Sequence, residues 1–341
     1  MHTTLHAFRC AFVCALAGCF AIATQADCPA KVTLSGYQLI ATYSLPSATL
    51  SGASAVAWNW DSDTLLIVPD SGLVMVMVSK TGVVLSQMTM KNFADTEGLT
   101  YMGGGTYALS EERLGRAYKF TYVAGGTLDR NTLQSIAVGP NTGTNDGSEG
   151  VSFDPRDGSW VSIKEKNPQN VYRVTGSFAT GASTYTDLFA TAQLGVNDIA
   201  DVLVLATVPG VVDGPDADNL LLLSQSSQRL LKVSRTGQIL GTLSLTSLAT
   251  NPEGVTMDAS QHLYICSDST APKLYVYAPP ASDLCTCPGD LDGDGNVGSG
   301  DLALTLLDFG PCPGSAADLD RNGVCDSGDF SLLLLDFGVC P

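Results

Sequence analysis

Between about Ser35 and Tyr277 the apolar positions fall in short β-rich runs, and almost no stretch carries the 3.6-residue spacing of an amphipathic helix. The runs recur in a fixed order. An opening strand is predicted at Ser54-Ala-Val-Ala-Trp58, Glu97-Gly-Leu-Thr-Tyr101, Glu149-Gly-Val-Ser-Phe153, Ala200-Asp-Val-Leu-Val204 and Glu253-Gly-Val-Thr-Met257, with successive starts 43, 52, 51 and 53 residues apart. Each is followed by a second strand ending in a polar cluster: Leu65 to Asp70, Tyr107 to Glu111, Trp160 to Glu165, Leu220 to Gln225 and Leu263 to Asp268. Third strands follow at Leu73 to Val78, Ala117 to Tyr122, Val171 to Val174, Leu230 to Val233 and Leu274 to Tyr277.

A four-stranded unit repeating at about 50 residues is the signature of a propeller blade, so the pattern predicts an all-β, five-bladed β-propeller. Fourth-strand pieces stand at Lys80-Thr-Gly82-Val-Val-Leu85 and Arg235-Thr-Gly237-Gln-Ile-Leu240. The fifth unit stops after its third strand, whereas Ser35 to Tyr43 repeats the turn-plus-strand pattern at the other end. The N-terminal strand is therefore expected to complete the last blade and remove an open edge.

Beyond residue 285 the pattern changes. Asp290-Leu-Asp292-Gly-Asp294-Gly295-Asn296-Val-Gly298-Ser-Gly-Asp301 and Asp318-Leu-Asp320-Arg-Asn322-Gly323-Val324-Cys-Asp326-Ser-Gly-Asp329 start 28 residues apart, and each runs into an apolar helical stretch. Oxygen side chains at loop positions 1, 3, 5 and 12 with glycine at 6 are the spacing by which an EF-hand-type loop wraps a hard cation, so two Ca2+ ions are expected. The ligands would be Asp290, Asp292, Asp294, the Asn296 carbonyl and Asp301 in one loop. In the other they would be Asp318, Asp320, Asn322, the Val324 carbonyl, Asp326 and Asp329.

Composition narrows the class. A chain of 341 residues with 45% hydrophobic residues and 35 glycines is globular and turn-rich, and a formal charge of −17 argues against nucleic acid or anionic membrane as partner. Met1 to Arg9, the apolar run Cys10 to Ala23 and Thr24-Gln-Ala26 form a secretory signal peptide cleaved near Ala26. The competing reading is a lipobox, Leu16-Ala17-Gly18-Cys19, that would anchor a lipoprotein at Cys19. No other segment is long and apolar enough to span a membrane. The expected organisation is signal peptide 1–26, propeller 27–278, linker 279–284 and calcium repeats 285–341.

Seven cysteines remain after cleavage; Cys266, inside an apolar strand, is expected to be a buried thiol, and the other six allow up to three disulfides in 15 pairings. Cys285-Thr-Cys287 lacks the second ligand pair of a zinc site. Of three histidines only His262 survives cleavage, in a turn, which excludes imidazole-rich metal sites and a Cys-His dyad. Phosphate-cradling loops, a nucleophile elbow and a dinucleotide fingerprint are absent, and Gly103-Gly-Gly105 joins two strands as a hairpin turn.

Two resemblances follow from these motifs. Asp at position 12, one helix after each loop and a tandem closed by Leu-Leu-Asp-Phe-Gly resemble type I dockerins, secreted modules that dock enzymes onto cohesin scaffolds. At the recognition places of that family the chain has Ser299-Gly300 with Leu306-Leu307 and Ser327-Gly328 with Leu334-Leu335, without the basic residues, so the resemblance carries calcium over but not the partner. The order Glu97-Gly-Leu-Thr-Tyr101, Leu-Ser-Glu-Glu-Arg113, Ser-Glu149-Gly-Val, Lys164-Glu-Lys-Asn-Pro168, Asn197-Asp-Ile-Ala-Asp201 and Asn251-Pro-Glu-Gly-Val255 resembles the SdiA-regulated family over most of residues 50 to 278. That resemblance implies a secreted or surface five-bladed propeller, distantly similar to NHL-repeat proteins, with a calcium site and no established activity.

First strands line a propeller's channel, so Glu97, Glu149 and Glu253 are expected to converge near one mouth, with Asp198 nearby. Converging carboxylates repel unless a cation or donors sit between them. Either a calcium ion joins them, or each accepts backbone N–H bonds from the neighbouring blade. The strand-end acids Asp70, Glu112, Glu165 and Asp268 line the same rim or serve as solvated turn anchors.

The function expected is a secreted calcium-binding protein whose propeller is a binding platform for an unidentified ligand, attached to a cohesin-like or cell-surface partner. The alternative is a calcium-dependent hydrolase, phytase-like or a glycoside hydrolase of polysaccharide breakdown. Propeller-phytase motifs are absent, and 17 Lys and Arg form no basic cluster for phytate. A roomy channel with a free coordination position would favour catalysis, and a plugged one the platform.

Overall fold

Five antiparallel sheets follow one another in chain order, and their first strands touch in a closed cycle. The computed structural model describes residues 31–280 except 213, and residues 289–339 except 293–295, 314 and 321. The signal-peptide and lipobox readings, the linker beyond residue 280, Asp294 and Cys28, Cys285, Cys287 and Cys340 lie outside the described residues. The chain divides into two compact units, the propeller and the C-terminal repeats.

Blade one contains Ala53–Asn59, Thr64–Pro69, Val74–Val78 and Val84–Lys91; blade two, Thr96–Tyr101, Thr106–Glu111, Arg116–Thr121 and Gln134–Ala137. Blade three contains Ser148–Asp154, Ser159–Lys164, Asn170–Ser177 and Ala182–Phe189; blade four, Asp201–Val204, Leu220–Ser224, Arg229–Val233 and Ile239–Ser244. Blade five takes Asn251–Met257, Leu263–Asp268 and Lys273–Ala278 from the end of the propeller and Gln38–Ser44 from its beginning. The closing pair is antiparallel, with Tyr43 opposite Leu274 and Leu39 opposite Tyr277. The predicted closure therefore holds.

Continuous apolar runs such as Leu65-Leu-Ile-Val68 arise because each sheet is covered on both faces. Leu65 and Ile67 pack into the core shared with blade five, whereas Leu66 and Val68 pack into the core shared with blade two. Five buried clusters result, one at each interface between neighbouring blades. Val32, Leu34 and Tyr37 join the cluster between blades four and five, so the segment leading to the closing strand is anchored by burial as well as pairing. One strand was not foreseen. Thr127–Asp129, from the loop of blade two, adds in parallel to Val84–Lys91 as a fifth strand of blade one.

In the C-terminal unit, helices Ser299–Leu307 and Ser327–Leu335 each begin where the acidic loop ends. Asn296–Val297 of the first loop pairs with Gly338–Val339, and Val324–Cys325 of the second with Gly310–Pro311, so each repeat is tied to the tail of the other. Cys312 and Cys325 form a disulfide, and Cys266 is a buried free thiol, as its strand context predicts.

Candidate metal centre

At four of the five blade junctions the end of one blade's second strand is stitched to the entry of the next blade's first strand, and this places acids from distant positions side by side. The Asp95 N–H donates to the Asp70 carbonyl (2.9 Å), the Glu112 N–H to the Asp95 carbonyl (3.0 Å) and the Ser148 N–H to the Glu112 carbonyl (3.3 Å). Further round, the Glu165 N–H donates to Gly147 (3.2 Å) and the Ile199 N–H to Glu165 (3.2 Å), and the Gly52 N–H donates to Ser269 (3.2 Å). This girdle sets the strand-end acids beside the opening glutamates.

The glycine after each glutamate is what lets the strands approach. A Cβ on Gly98 would lie 2.6 Å from the Glu149 carbonyl, one on Gly150 2.4 Å from Asp201 Oδ1, and one on Gly254 2.8 Å from Ala55 Cα. Glu97, Glu149 and Glu253 consequently bring one carboxylate oxygen each within 4.8 Å of one another. Asp95, Glu97 and Glu112 form a second such trio, and Glu112, Glu149 and Glu165 a third. The acids floor an open basin of about 350 Å³ whose rim includes Asp70, Asp268, Asn145, Gln225, Arg113 and Lys166. Below them the channel is filled by first-strand side chains, leaving a void of about 20 Å³ lined by Val56, Leu99, Val202 and Val255, room for about one water.

Burial raises the pKa of Glu97 and Glu149 well above the carboxylate range, and the Glu253 charge raises Glu97 further, as the Glu97 charge does Glu149. Glu253 is raised well above that range by burial and then by the Asp268 charge. Glu112 is raised to about 7, chiefly by burial, although the Gly147 N–H donates to its Oε1 at 2.8 Å. Its Oε2 is buried with no hydrogen-bond partner, and so is Oε2 of Glu253. Only two cations flank the acids among the basin residues: Arg113 pairs with Asp95, and Lys166 with Glu165.

Among the described residues, no neighbouring blade donates a backbone N–H to the three glutamates. The blades are locked by other groups. Thr256, Thr100 and Ser152 hydroxyls accept from Trp58, Phe153 and Val204 N–H groups at 2.9–3.1 Å. In blade four Asp201 takes the lock, accepting from Val202 and Val255 N–H at 2.8 Å each, which accounts for the break in the Glu-Gly pattern there.

Asp198 lies near the basin acids, and its charge adds to the upward shift of Glu253 and Glu165. It is buried, and its oxygens accept from the Ser224 hydroxyl (2.6 Å), the Ser226 N–H (2.9 Å) and the Ser226 hydroxyl, so it anchors a turn and belongs to none of the acid trios. Of the strand-end acids, Asp70 and Asp268 are exposed on the rim and Glu165 is half-buried, but Glu112 is wholly buried and is no solvated anchor. Asp95 was missed altogether. Its left-handed backbone (φ 64°) and its bond to Asp70 turn it into the basin, and its only signal was the position two residues before Glu97.

In the C-terminal unit the structure gathers Asp290, Asp292 and Asp301, and likewise Asp318, Asp320 and Asp329, with an oxygen of each within 4.8 Å of the others in its group. Asp301 accepts from the Leu291, Asp292 and Gly298 N–H groups at 2.7, 3.1 and 2.6 Å, and Asp329 from Asp320 and Asp326 at 3.1 and 2.8 Å. Burial pushes both carboxyls up, and these N–H bonds outweigh it and hold them below the usual range. Gly300, at position 11, is needed there because a Cβ would stand 2.1 Å from Asp292 Oδ2. Asn322 keeps its carboxamide in the loop, accepting from Val324 N–H (2.8 Å), and Asp326 caps the following helix through Gly328 N–H (2.7 Å). Asn296 and Val324 enter the short bridges between the repeats.

A family model described as SdiA-regulated matches residues 30–277. Among solved structures, the chain is similar to a glutaminyl cyclase from Myxococcus xanthus at 11% identity and TM-score 0.49, over 73% of this chain and 97% of that one. It is similar to a luciferin-regenerating enzyme at 11% identity and TM-score 0.45, over 71% and 96%, and to a streptogramin B lyase at 13% and 0.37, over 74% and 76%.

Proposed function

The chain belongs to the SdiA-regulated family, and on that footing we propose that it is a secreted calcium-binding protein whose propeller is a binding platform centred on the acid basin. The observation that carries this reading is the trio Glu97, Glu149 and Glu253, with oxygens within 4.8 Å of one another and Glu253 Oε2 buried without a partner. Two buried carboxylates and a half-buried third so close cannot all ionise unless a cation replaces the lost water, and an all-oxygen donor set suits a hard ion such as calcium. The filled channel beneath favours a platform. The C-terminal repeats would bind two more calcium ions and attach the propeller to a cohesin-like or cell-surface protein.

Calorimetric titration of the secreted chain with calcium tests the reading. The triple variant Glu97→Gln/Glu149→Gln/Glu253→Gln is expected to lose basin binding and retain the two C-terminal ions. An unchanged stoichiometry in that variant would refute the basin as a calcium site. The basin's open face supports a second reading, a calcium-dependent hydrolase, because a roughly 350 Å³ polar cavity admits a small substrate. Calcium-dependent release of an aryl group from phosphate or glycoside substrates, lost in the same variant, would select it.

A further inference from the structure

We propose that the basin holds two divalent cations, the second bound by Asp95, Glu97 and Glu112, with Glu97 bridging it to the first. The inference rests on the reading of Glu97, Glu149 and Glu253 as a calcium site and adds a centre beside it.

Three features carry it. An oxygen of Asp95, Glu97 and Glu112 each lies within 4.8 Å of the other two, and Glu97 also belongs to the Glu149–Glu253 trio. Glu112 is 0% exposed, and while its Oε1 accepts from Gly147 N–H, its Oε2 is buried with no N–H or hydroxyl donor, in a carboxyl group that lies against the Asp95 and Glu149 carboxyls. A fully buried carboxylate oxygen that no protein group donates to is costly, and a cation is a partner that suits it. Charge is consistent with a second ion. The three overlapping trios contain six carboxylates, Asp70 and Asp268 stand on the rim, and the cations beside them are Arg113, Lys166 and Lys164, so more negative charge gathers here than one divalent ion balances.

The remaining trio, Glu112, Glu149 and Glu165, is the poorer second site because the Lys166 ammonium already stands at Glu165, in the field of Glu149. At the Asp95 corner Arg113, whose side chain is 53% exposed, stands on the solvent side, and Lys164, in the field of Glu112, donates to the Lys166 and Pro168 carbonyls. The local backbone holds this corner: Glu112 N–H donates to the Asp95 carbonyl at 3.0 Å, so the two ligands from neighbouring strand ends move together. Hard divalent ions, calcium or manganese, fit a donor set made wholly of carboxylates.

Crystals of the full chain grown with Mn2+ and measured at the manganese edge provide the test. Two anomalous peaks about 3.5–4 Å apart, the usual spacing of a carboxylate-bridged pair, are expected in the basin, apart from any at residues 290–329. In Glu112→Gln the peak near Asp95 is expected to vanish while the peak near Glu253 stays. Asp95→Asn is expected to do the same and serves should Glu112→Gln fail to fold. A single peak at Glu253 in the wild type overturns the second site and leaves the proposed function standing. No peak in the basin overturns both. Two peaks that survive both substitutions, or a second peak at Glu165, overturn the assignment to Asp95 and Glu112.

Discussion

Replacing Glu112 by glutamine should stabilise the cation-free protein at alkaline pH. In the folded chain Glu112 has its pKa at about 7, against 4.5 for the free group, because burial and the neighbouring Asp95 disfavour its charge. Between those values the folded state holds a proton that the unfolded state has released. The stability this group supplies is thus fully present below about 4.5 and is lost as pH rises through about 7. The shift amounts to about 3 kcal/mol, or about 6–12 °C in melting temperature for a domain of this size. The raised values of Glu97, Glu149 and Glu253 act in the same direction. Glutamine keeps an acceptor for Gly147 N–H and carries no charge, so it imitates the protonated acid at every pH. Thermal unfolding followed by circular dichroism in chelator should show the variant only slightly ahead at pH 5, near the foot of that window. At pH 8 the variant should melt higher. Saturating calcium should reverse the order at pH 8, because the variant then lacks a ligand. If wild type in chelator melts as high at pH 8 as at pH 5, or the variant gains nothing there, the electrostatic reasoning is refuted.

Other consequences are as direct. Gly150→Ala forces a methyl onto Asp201 Oδ1 and should cost about 1–3 kcal/mol in denaturant unfolding, as overpacked sites do; an unchanged midpoint would mean that the blades do not need that approach. Leu34→Ala opens the core between blades four and five and should cost about 2–5 kcal/mol, whereas a cost near zero would detach the N-terminal segment from the closure. Asp290→Ala and Asp318→Ala should each remove one calcium ion from calorimetric titrations, and retention of both ions would exclude the loops as the sites. Native Cys266 should resist iodoacetamide until the chain is unfolded, since the thiol is fully buried.

Much of this was legible in the sequence because blade strands are local. Leu65-Leu-Ile-Val68 and Leu220-Leu-Leu-Leu223 announce central strands covered on both faces, and the missing fourth strand of the last unit points to Ser35–Tyr43. The Glu-Gly pairs located three acids of the basin, since the glycine that admits the next blade also fixes where the glutamate points. What escaped depends on contacts between blades. Glu112 sits at the end of one blade's strand and Glu149 at the start of the next, and only the backbone girdle, absent from any local pattern, brings them together. Asp198 has the composition of a ligand, but Ser224 and Ser226 lie within reach only after blade four folds and occupy its oxygens. The strand Thr127–Asp129 is too short for its alternation to show, and it pairs in parallel with a sheet of the preceding blade.

Native mass spectrometry of the Asp290→Ala/Asp318→Ala chain, dialysed against micromolar calcium, tests the central claim most directly, because it silences the C-terminal loops and leaves the basin alone to bind. The account predicts that calcium stays on this protein and leaves it when Glu97, Glu149 and Glu253 are also made glutamine. A metal-free mass for the doubly substituted chain would contradict it.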